Sequence, residues 1–444
     1  MLKALFSRLV MAFFFLFMGA GMLIITAMEF AFPLLDTLAQ WIYGMTTPLS
    51  RQPTGSGDAG LHYLILLWNG LMALCIAPVW AAAAKFRAPS LRSYRILRLL
   101  MRYYLALIMW GYGCAKLLKS QFPEPSLLKL SQPVGDLSPM GLAWTYMGQS
   151  YLYNLFTGGL ECLASVLLLF PHTTLLGSLI NLGVMSNVLM MNLSYDIPVK
   201  INSSMYVLMS IWLIWPARKR LRQFFTNQSH VSAPQELEIS EPWPLYKHLI
   251  KSTVLVLLFG GILYASSTRS SQHNKNVADM EGVYTVIPAT VKQPADMPIN
   301  VMNWKQLIFS ARYNMGYLRV HVSSEPPTSS DHEKNFRMLE FKRVDGKTLD
   351  VFSEDHKRLF LTELSYKHEQ PSVFKGRLCE IQQEDYSYDK QEKTYLYDRE
   401  KLFNTCKNKQ GLYTFTFSAQ RKQTRDYLLR NRGFHLLNEY PFNR

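Results

Sequence analysis

Seven stretches of this 444-residue chain are apolar over close to the thickness of a bilayer, and that pattern constrains the fold more than any other feature. A helix that crosses the hydrocarbon core needs roughly 20 apolar residues. The stretches run about Leu9 to Phe32, Leu61 to Ala83, Tyr103 to Leu118, Leu152 to Phe170, Thr174 to Leu193, Ser203 to Trp215 and Leu249 to Ala265. The third and sixth are short and borrow flanking residues. The first follows Lys3 and Arg8 as a signal peptide would, but it is too long and has no small-residue cleavage site, so it is read as a retained helix.

Basic residues collect between these stretches on alternate sides. Lys85, Arg87, Arg92, Arg95, Arg98 and Arg102 precede the third, and Arg218, Lys219, Arg220 and Arg222 follow the sixth. The opposite connections hold little more than Arg51, Lys129 and Lys200. Positive charge marks the cytoplasmic side of a membrane protein, which places the N-terminus inside and, after seven crossings, the C-terminal part outside. The net charge of +15 is therefore read as a topology signal. No basic stripe with interleaved aromatic residues supports a nucleic-acid partner.

Beyond about residue 276 the texture changes. Tyr413, Phe415 and Phe417 alternate with threonines, and Leu318 to Val322 and Leu359 to Thr362 behave similarly, which is the period-two pattern of strands. Asp345-Gly346 reads as a hairpin turn. Helical patterning in this region is confined to Trp304 to Ala311 and Arg421 to Leu429. Cys379 and Cys406 could form a disulfide if this region lies outside the cytoplasm. Cys75, Cys114 and Cys162 lie within apolar runs and read as small hydrophobic side chains.

Ionisable and amide side chains inside apolar spans are the candidate functional residues, because burying them in hydrocarbon is costly. Lys116 ends the third span, one helical turn after Tyr112. It is either a snorkelling lysine or half of a buried pair. Glu161 lies mid-span with Asn154 seven residues before it on the same face, and a carboxylate there must be protonated or paired with a cation such as Lys116. A polar clamp between helices is the competing reading. Asn181, Asn187 and Asn192 populate the fifth span, where asparagines face partner helices or a wet cavity. Pro198 breaks the chain at the end of that span, with Asp196 and Lys200 four residues apart around it. That tip reads as a lid, a proton relay or a simple interfacial turn. There is no P-loop, HExxH or GxSxG motif, no metal-ligand spacing, and the methionines are scattered as core filling.

Gly113 to Lys116 and Gly158 to Glu161 form a Gly-x-x-Lys followed by a Gly-x-x-Glu, preceded by Arg102 and followed by Asp196. In this order the residues from about Arg102 to Arg222 resemble the DoxX-like family of four-helix membrane proteins. The Gln-Phe-Pro loop, the Tyr-Asp-Ile-Pro-Val-Lys tip and the Arg432 to Arg444 ending resemble a larger envelope subgroup of that family. The resemblance implies a bacterial inner-membrane protein and, by analogy with quinone-linked relatives, a quinone or lipid pocket. Its site residues would be Lys116, Glu161 and Asp196 as proton-handling groups, with Arg102, Tyr112, Asn154, Asn181, Asn187 and Lys200 binding the ligand.

The expected fold is therefore a mainly α-helical bundle of about seven membrane helices with a soluble β-rich C-terminal domain. Its parts are two N-terminal spans (1–84), a four-helix core (85–222), a cytoplasmic linker (223–246), a seventh span (247–268) and a periplasmic domain (277–444). Two functions remain open. One is a quinone-linked redox or envelope-stress component. The other is a non-enzymatic anchored module that binds an envelope protein or lipid. A transporter using the broken helix is a third reading.

Overall fold

The computed structural model describes residues 2–20, 31–44, 56–87, 89–132, 134–228, 245–272, 282–298, 301, 304, 306–312, 315–321, 336–343, 348–355, 358–367, 371–381, 387–389, 394–408 and 412–422. Most of the linker at 223–246, the Asp345-Gly346 turn and the ending Arg432 to Arg444 lie outside the described residues. The chain divides into two compact units. One comprises Met1–Phe122 and Ser150–Ser267; the other comprises Pro123–Gln149 and Thr268–Arg444. The connection at 123–149 thus groups with the C-terminal residues rather than with the four-helix core expected over 85–222.

In the first unit α1 (Leu2–Phe15) continues into a single wide turn, Leu16–Ala20, where Gly19 takes a φ of 128° that a side chain would resist. The first apolar helix therefore begins at Leu2, seven residues before its expected start. Then come α2 (Ala31–Tyr43), α3 (Gly60–Ala83) and α4 (Leu91–Leu117). Two short helices of the second unit follow, α5 (Leu127–Leu130) and α6 (Pro139–Gln149). The chain returns to the first unit with α7 (Tyr151–Leu169), α8 (Thr174–Ser194), α9 (Lys200–Ile214), α10 (Arg218–Phe225) and α11 (Leu245–Gln272), the last five residues of which fall in the second unit. Serine side chains cap the two helices that matter most below: Ser90 accepts from the Ser93 amide at 3.1 Å and Ser150 from the Tyr153 amide at 3.2 Å.

Among the described residues, four helical segments are long and apolar enough to cross a membrane: Leu2–Gly19, Gly60–Ala83, Tyr151–Leu169 and Pro171–Ser194. Leu255–Thr268 is a shorter apolar helix. The other expected spans fall short for visible reasons. α4 has the length, but it carries Arg92, Arg95, Arg98, Arg102 and Lys116. α9 has only 15 residues. Two of the α4 arginines serve helix ends: Arg98 donates to the Leu213 carbonyl at 2.7 Å and Arg102 to the Leu168 carbonyl at 3.0 Å. Both carbonyls lie in the last turn of their helices, where unpaired acceptors and the negative end of the dipole favour a cation.

The second unit contains β1 (Gly282–Val286), β2 (Gln306–Arg312), β3 (Met315–His321), β4 (Phe336–Arg343), β5 (Thr348–Asp355), β6 (Arg358–Lys367) and β7 (Ser372–Ile381). After these come a small hairpin of β8 (Ser387–Asp389) and β9 (Thr394–Leu396), then α12 (Arg399–Asn408) and β10 (Leu412–Lys422). Eight strands close into an antiparallel barrel in the order β1-β10-β7-β6-β5-β4-β3-β2. Closure removes the exposed strand edges on which chains aggregate. Tyr284, Phe309, Phe360, Phe374, Phe415 and Phe417 form its core; Phe374 stacks on Phe417 with ring centroids 5.0 Å apart. The described interior side chains therefore fill the barrel. Gly376 is required there, because the ring of its cross-strand partner Phe415 lies where a β-carbon would stand.

The stretch Trp304 to Ala311, expected as a helix, is strand β2 over most of its length. Its pattern misleads because successive residues are buried on opposite sides. Leu307 and Phe309 point into the barrel core, while Ile308 packs with Val283 and with Leu127 of α5. A strand covered on both faces loses the alternation that identifies it.

α12 lies on the outer face of β6 and β7. Leu361, Cys379, Ile381, Leu402, Phe403 and Cys406 form an apolar cluster there, closed by a disulfide between Cys379 and Cys406 with Cα atoms 5.9 Å apart. Beside it runs a cross-strand row of Asp350, Glu363 and Arg377. Arg399, at the start of α12, bridges the two acids: its Nε is 3.1 Å from Asp350, and its other arm pairs with Glu363. The Tyr397 hydroxyl donates to Asp350 at 2.6 Å. Burial pushes the Asp350 carboxyl up, against the opposing pull of Tyr397 and Arg399. Two acids and two arginines balance, so the row fastens α12 without leaving a bare charge under it.

Candidate functional site

α4 and α7 run antiparallel, matched at Arg102 with Leu168, Ala106 with Ser165 and Gly113 with Gly158. The two glycines set the spacing. A β-carbon on Gly158 would stand 2.9 Å from the Gly113 carbonyl and 3.0 Å from Lys116 Cβ. One on Gly113 would meet the Gly158 carbonyl at 2.8 Å and the Cys162 sulfur at 2.4 Å. Small residues at such a crossing let helix backbones approach closely.

The charged residues follow the glycines by three positions, close to one turn on. Helical side chains lean toward the N-terminus of their own helix, so on antiparallel helices Lys116 and Glu161 lean toward each other. Lys116 Nζ reaches both carboxylate oxygens, at 2.5 and 2.7 Å. Lys116 is 5% and Glu161 1% exposed, so the pair is sealed from the surroundings on both sides. The Gly-x-x-Lys and Gly-x-x-Glu motifs therefore have one physical meaning: a close crossing followed by a buried ion pair. Gly158→Val is expected to force this crossing open and to cost about 1–3 kcal/mol by overpacking. A thermal-unfolding midpoint equal to wild type would refute that reading of the motif.

A polar path leads from the pair into the other helices. Lys116 Nζ lies 5.6 Å from the centre of the Tyr112 ring, a cation–π contact. The rings of Tyr112 and Tyr104 both pack against that of Tyr206 on α9, with centroids 6.5 and 6.3 Å apart. One turn further along α9, Ser210 accepts from Asn181 Nδ2 of α8 at 2.7 Å. Asn181 is fully buried, and its Oδ1 has no hydrogen-bond partner among the described residues. Four helices thus contribute to one polar interior: α4, α7, α8 and α9.

The remaining expected residues divide. Asn154 is buried on the Glu161 face of α7, and its amide donates to the Ser150 carbonyl at 3.1 Å. Arg102 does not join the pair. It lies fourteen residues from Lys116, about 21 Å along α4 at the usual helical rise, where it caps α7. Asn187 is exposed on the outside of α8 and takes no part in the interior. Asn192 instead joins α8 to α9, donating to Ser203 at 2.9 Å.

Asp196 and Lys200 form a second, separate feature. Asp196 pairs with Lys200 Nζ at 2.7 Å, but its side chain is 85% exposed and it sits at a φ of 49° in the break between α8 and α9. An exposed pair of this kind contributes little energy. The tip is held by a residue that sequence reading missed. Asp58 accepts from the Lys200 amide at 2.8 Å and the Ile201 amide at 3.0 Å, while the Gly57 amide donates to the Pro198 carbonyl at 2.7 Å. α9 begins directly after a proline-containing turn and has no capping side chain of its own, so a carboxylate from before α3 supplies the cap. Asp58→Ala is expected to remove about 1 kcal/mol of that capping. Faster hydrogen exchange at the Lys200 and Ile201 amides would report it; unchanged exchange would show that the contact is incidental.

On the opposite side of α4 and α9 an open apolar groove of about 1270 Å³ is lined by Phe14, Leu71, Tyr94 and Trp212 among others. Among the described residues no group of histidine, cysteine or acidic side chains has the arrangement of a metal site.

No protein-family model matches the chain, and no solved structure matches it. A curated relative, "Uncharacterized protein YwoB" of Bacillus subtilis (strain 168), is 34% identical over 129 residues. The match covers 29% of this chain and 80% of YwoB. The chain belongs to the same family as YwoB. Most of YwoB is thus shared, whereas most of this chain lies outside the match.

Proposed function

We propose that the protein is a DoxX-like component of the bacterial inner membrane that binds a quinone at the Lys116–Glu161 pair. The observation that carries this reading is the pair itself, buried at a glycine crossing and continued by Tyr112, Tyr206 and Asn181. A buried ion pair is a poor way to gain stability, because desolvation offsets most of the attraction. Its retention among apolar helices is better explained by a polar ligand or a proton. The Lys116 ammonium suits a quinone carbonyl, and the open Asn181 Oδ1 suits a hydroxyl of the quinol.

The same reading has seven crossings, the N-terminus in the cytoplasm and the barrel in the periplasm. Two features support it beside the charge pattern. The connection at 123–149, between α4 and α7, belongs to the same compact unit as the barrel, and four crossings (α7, α8, α9 and α11) separate the two in sequence. An even number returns the chain to the side it left. The Cys379–Cys406 disulfide suits an oxidising compartment.

Quinone extracted from protein purified from membranes, wild type against Glu161→Gln, tests the proposal. Quinone at near-equimolar content in wild type and its loss in the variant are expected. Its absence from both preparations would overturn the quinone reading. The second reading, an anchored scaffold, draws on the closed barrel, whose described interior is filled and whose outer surface is left for a partner. Crosslinking of the full-length protein in intact cells would favour it if a single envelope protein were captured through the barrel.

A further inference from the structure

We infer that the open apolar groove seats an acyl chain of an anionic phospholipid, whose phosphate lies against Arg92 and Arg218 at the groove's basic end. The inference is independent of the quinone reading, since it uses neither Lys116 nor Glu161. Phe14 of α1, Leu67 and Leu71 of α3, and Leu208 and Trp212 of α9 line the groove, and no charged residue is among the described residues that do so. Tyr94 packs on Trp212 and Tyr104 on Tyr206, so α4 and α9 are antiparallel. Leu91 and Trp215, which also line the groove, therefore lie at the same end of it. Charge begins there. Arg92 follows Leu91 directly, and the Arg218 guanidinium stacks on the Trp215 ring, 4.9 Å from its centre. The segments that supply this end, 84–95 and 215–222, are rich in arginine and lysine and hold not one aspartate or glutamate.

The placement of the arginines carries the argument. A topology signal needs cations on one side of the membrane but not at particular positions. Arg98 and Arg102 sit where helix chemistry favours them, on the C-terminal carbonyls of α9 and α7. Arg92 lies in the first turn of α4 and Arg218 opens α10, where the positive end of the dipole opposes a cation. Neither first turn contains an acid. Two helix N-termini, each with an arginine, thus border one end of a single apolar groove. A phosphate neutralises both, and the chain attached to it fills the groove. α10 suits the same ligand. It sets Arg218, Lys219, Arg220 and Arg222 beside Phe224 and Phe225, which are 67% and 74% exposed. A basic helix with bare aromatic side chains lies at a membrane interface and favours anionic lipid. On the topology proposed above, that lipid belongs to the cytoplasmic leaflet.

The experiment uses the full chain in phosphatidylcholine nanodiscs that contain a dibrominated probe, either phosphatidylglycerol or phosphatidylcholine, at equal mole fraction. Bromine quenches tryptophan on contact, and Trp212 and Trp215 report the groove. Trp212→Phe with Trp215→Phe supplies the signal of the other tryptophans for subtraction. Phosphatidylglycerol is expected to bind more tightly than phosphatidylcholine by roughly fivefold or more, the contribution of about one arginine beside anionic lipid. Arg92→Gln with Arg218→Gln is expected to bring that ratio to about one while quenching by phosphatidylcholine is unchanged. Both side chains are exposed, so the fold is expected to tolerate the change. Gly70 lines the groove and has open space where a β-carbon would stand, so Gly70→Phe projects into the groove and is expected to lower quenching by both lipids. A ratio of about one in wild type, or a ratio unchanged in the arginine variant, would overturn the head-group site. Quenching undiminished in Gly70→Phe would place the lipid outside the groove and overturn its seat. Absence of quenching by either lipid, with two chains in each nanodisc, would show a second copy of the protein in the groove and overturn the lipid.

Discussion

Lys116→Met and Glu161→Leu, made singly, are each expected to destabilise the helical unit by about 3–5 kcal/mol, whereas the double variant recovers most of that loss. The asymmetry follows from burial. Both side chains are at least 95% buried and each is the other's bidentate partner. Removing one leaves an uncompensated charge in an apolar crossing, which must find a proton or water. Removing both leaves apolar side chains of similar volume, which the surrounding α4, α7 and α9 can accept. Thermal unfolding followed by tryptophan fluorescence in detergent checks the stability term. Quinone content of the same samples checks the function. The informative result is the double variant: stable but without bound quinone. A double variant as stable as wild type that still holds quinone would show the pair to be a clamp between helices. A double variant as unstable as the singles would show that the contacts of Lys116 with Tyr112, rather than charge pairing, hold the crossing.

The legible and illegible parts of this molecule separate along physical lines. Apolar length is a local property, so the runs containing α3, α7 and α8 could be placed from the residues alone, as could the alternating strands β6 and β10. Lys116 and Glu161 stood out because charge inside an apolar run has to be answered by something nearby. The count of spans was less secure, since α4 mixes the length of a span with five basic residues, two of which serve as caps for α7 and α9. Asp58 was invisible for the opposite reason. It lies in a polar stretch before α3, and its partners are backbone amides about 140 residues away, which carry no sequence signature. Cys162 reads as hydrophobic filling because nothing in its run announces that a glycine crossing sets its sulfur against Gly113. β2 was mistaken because burial on both faces erases the period of two. Arg102 and Asn187 were assigned to the ligand by motif and by span, and only the helix geometry shows one at a helix end and the other facing outward.

Loss of the Cys379–Cys406 bond is expected to lower the stability of the barrel unit by about 3–4 kcal/mol, the loop-closure contribution for a closed loop of this size. The effect should be concentrated in α12. That helix is inserted between β9 and β10, and its other attachments are Leu402 and Phe403 in a small apolar cluster and Arg399 against Asp350 and Glu363. The barrel strands retain their own core of Phe309, Phe374, Phe415 and Phe417 and their closed ladder without it. Cys379→Ala with Cys406→Ala is therefore expected to expose α12 to limited proteolysis while the strands stay protected in hydrogen exchange. Uniform loss of protection across the strands would show that the bond is needed for the barrel as a whole. The same bond reports on topology in cells. If the barrel lies in the periplasm, both sulfurs resist maleimide until a reductant is added. If both label freely in untreated intact cells, the bond does not form there, and an oxidising compartment loses its structural support.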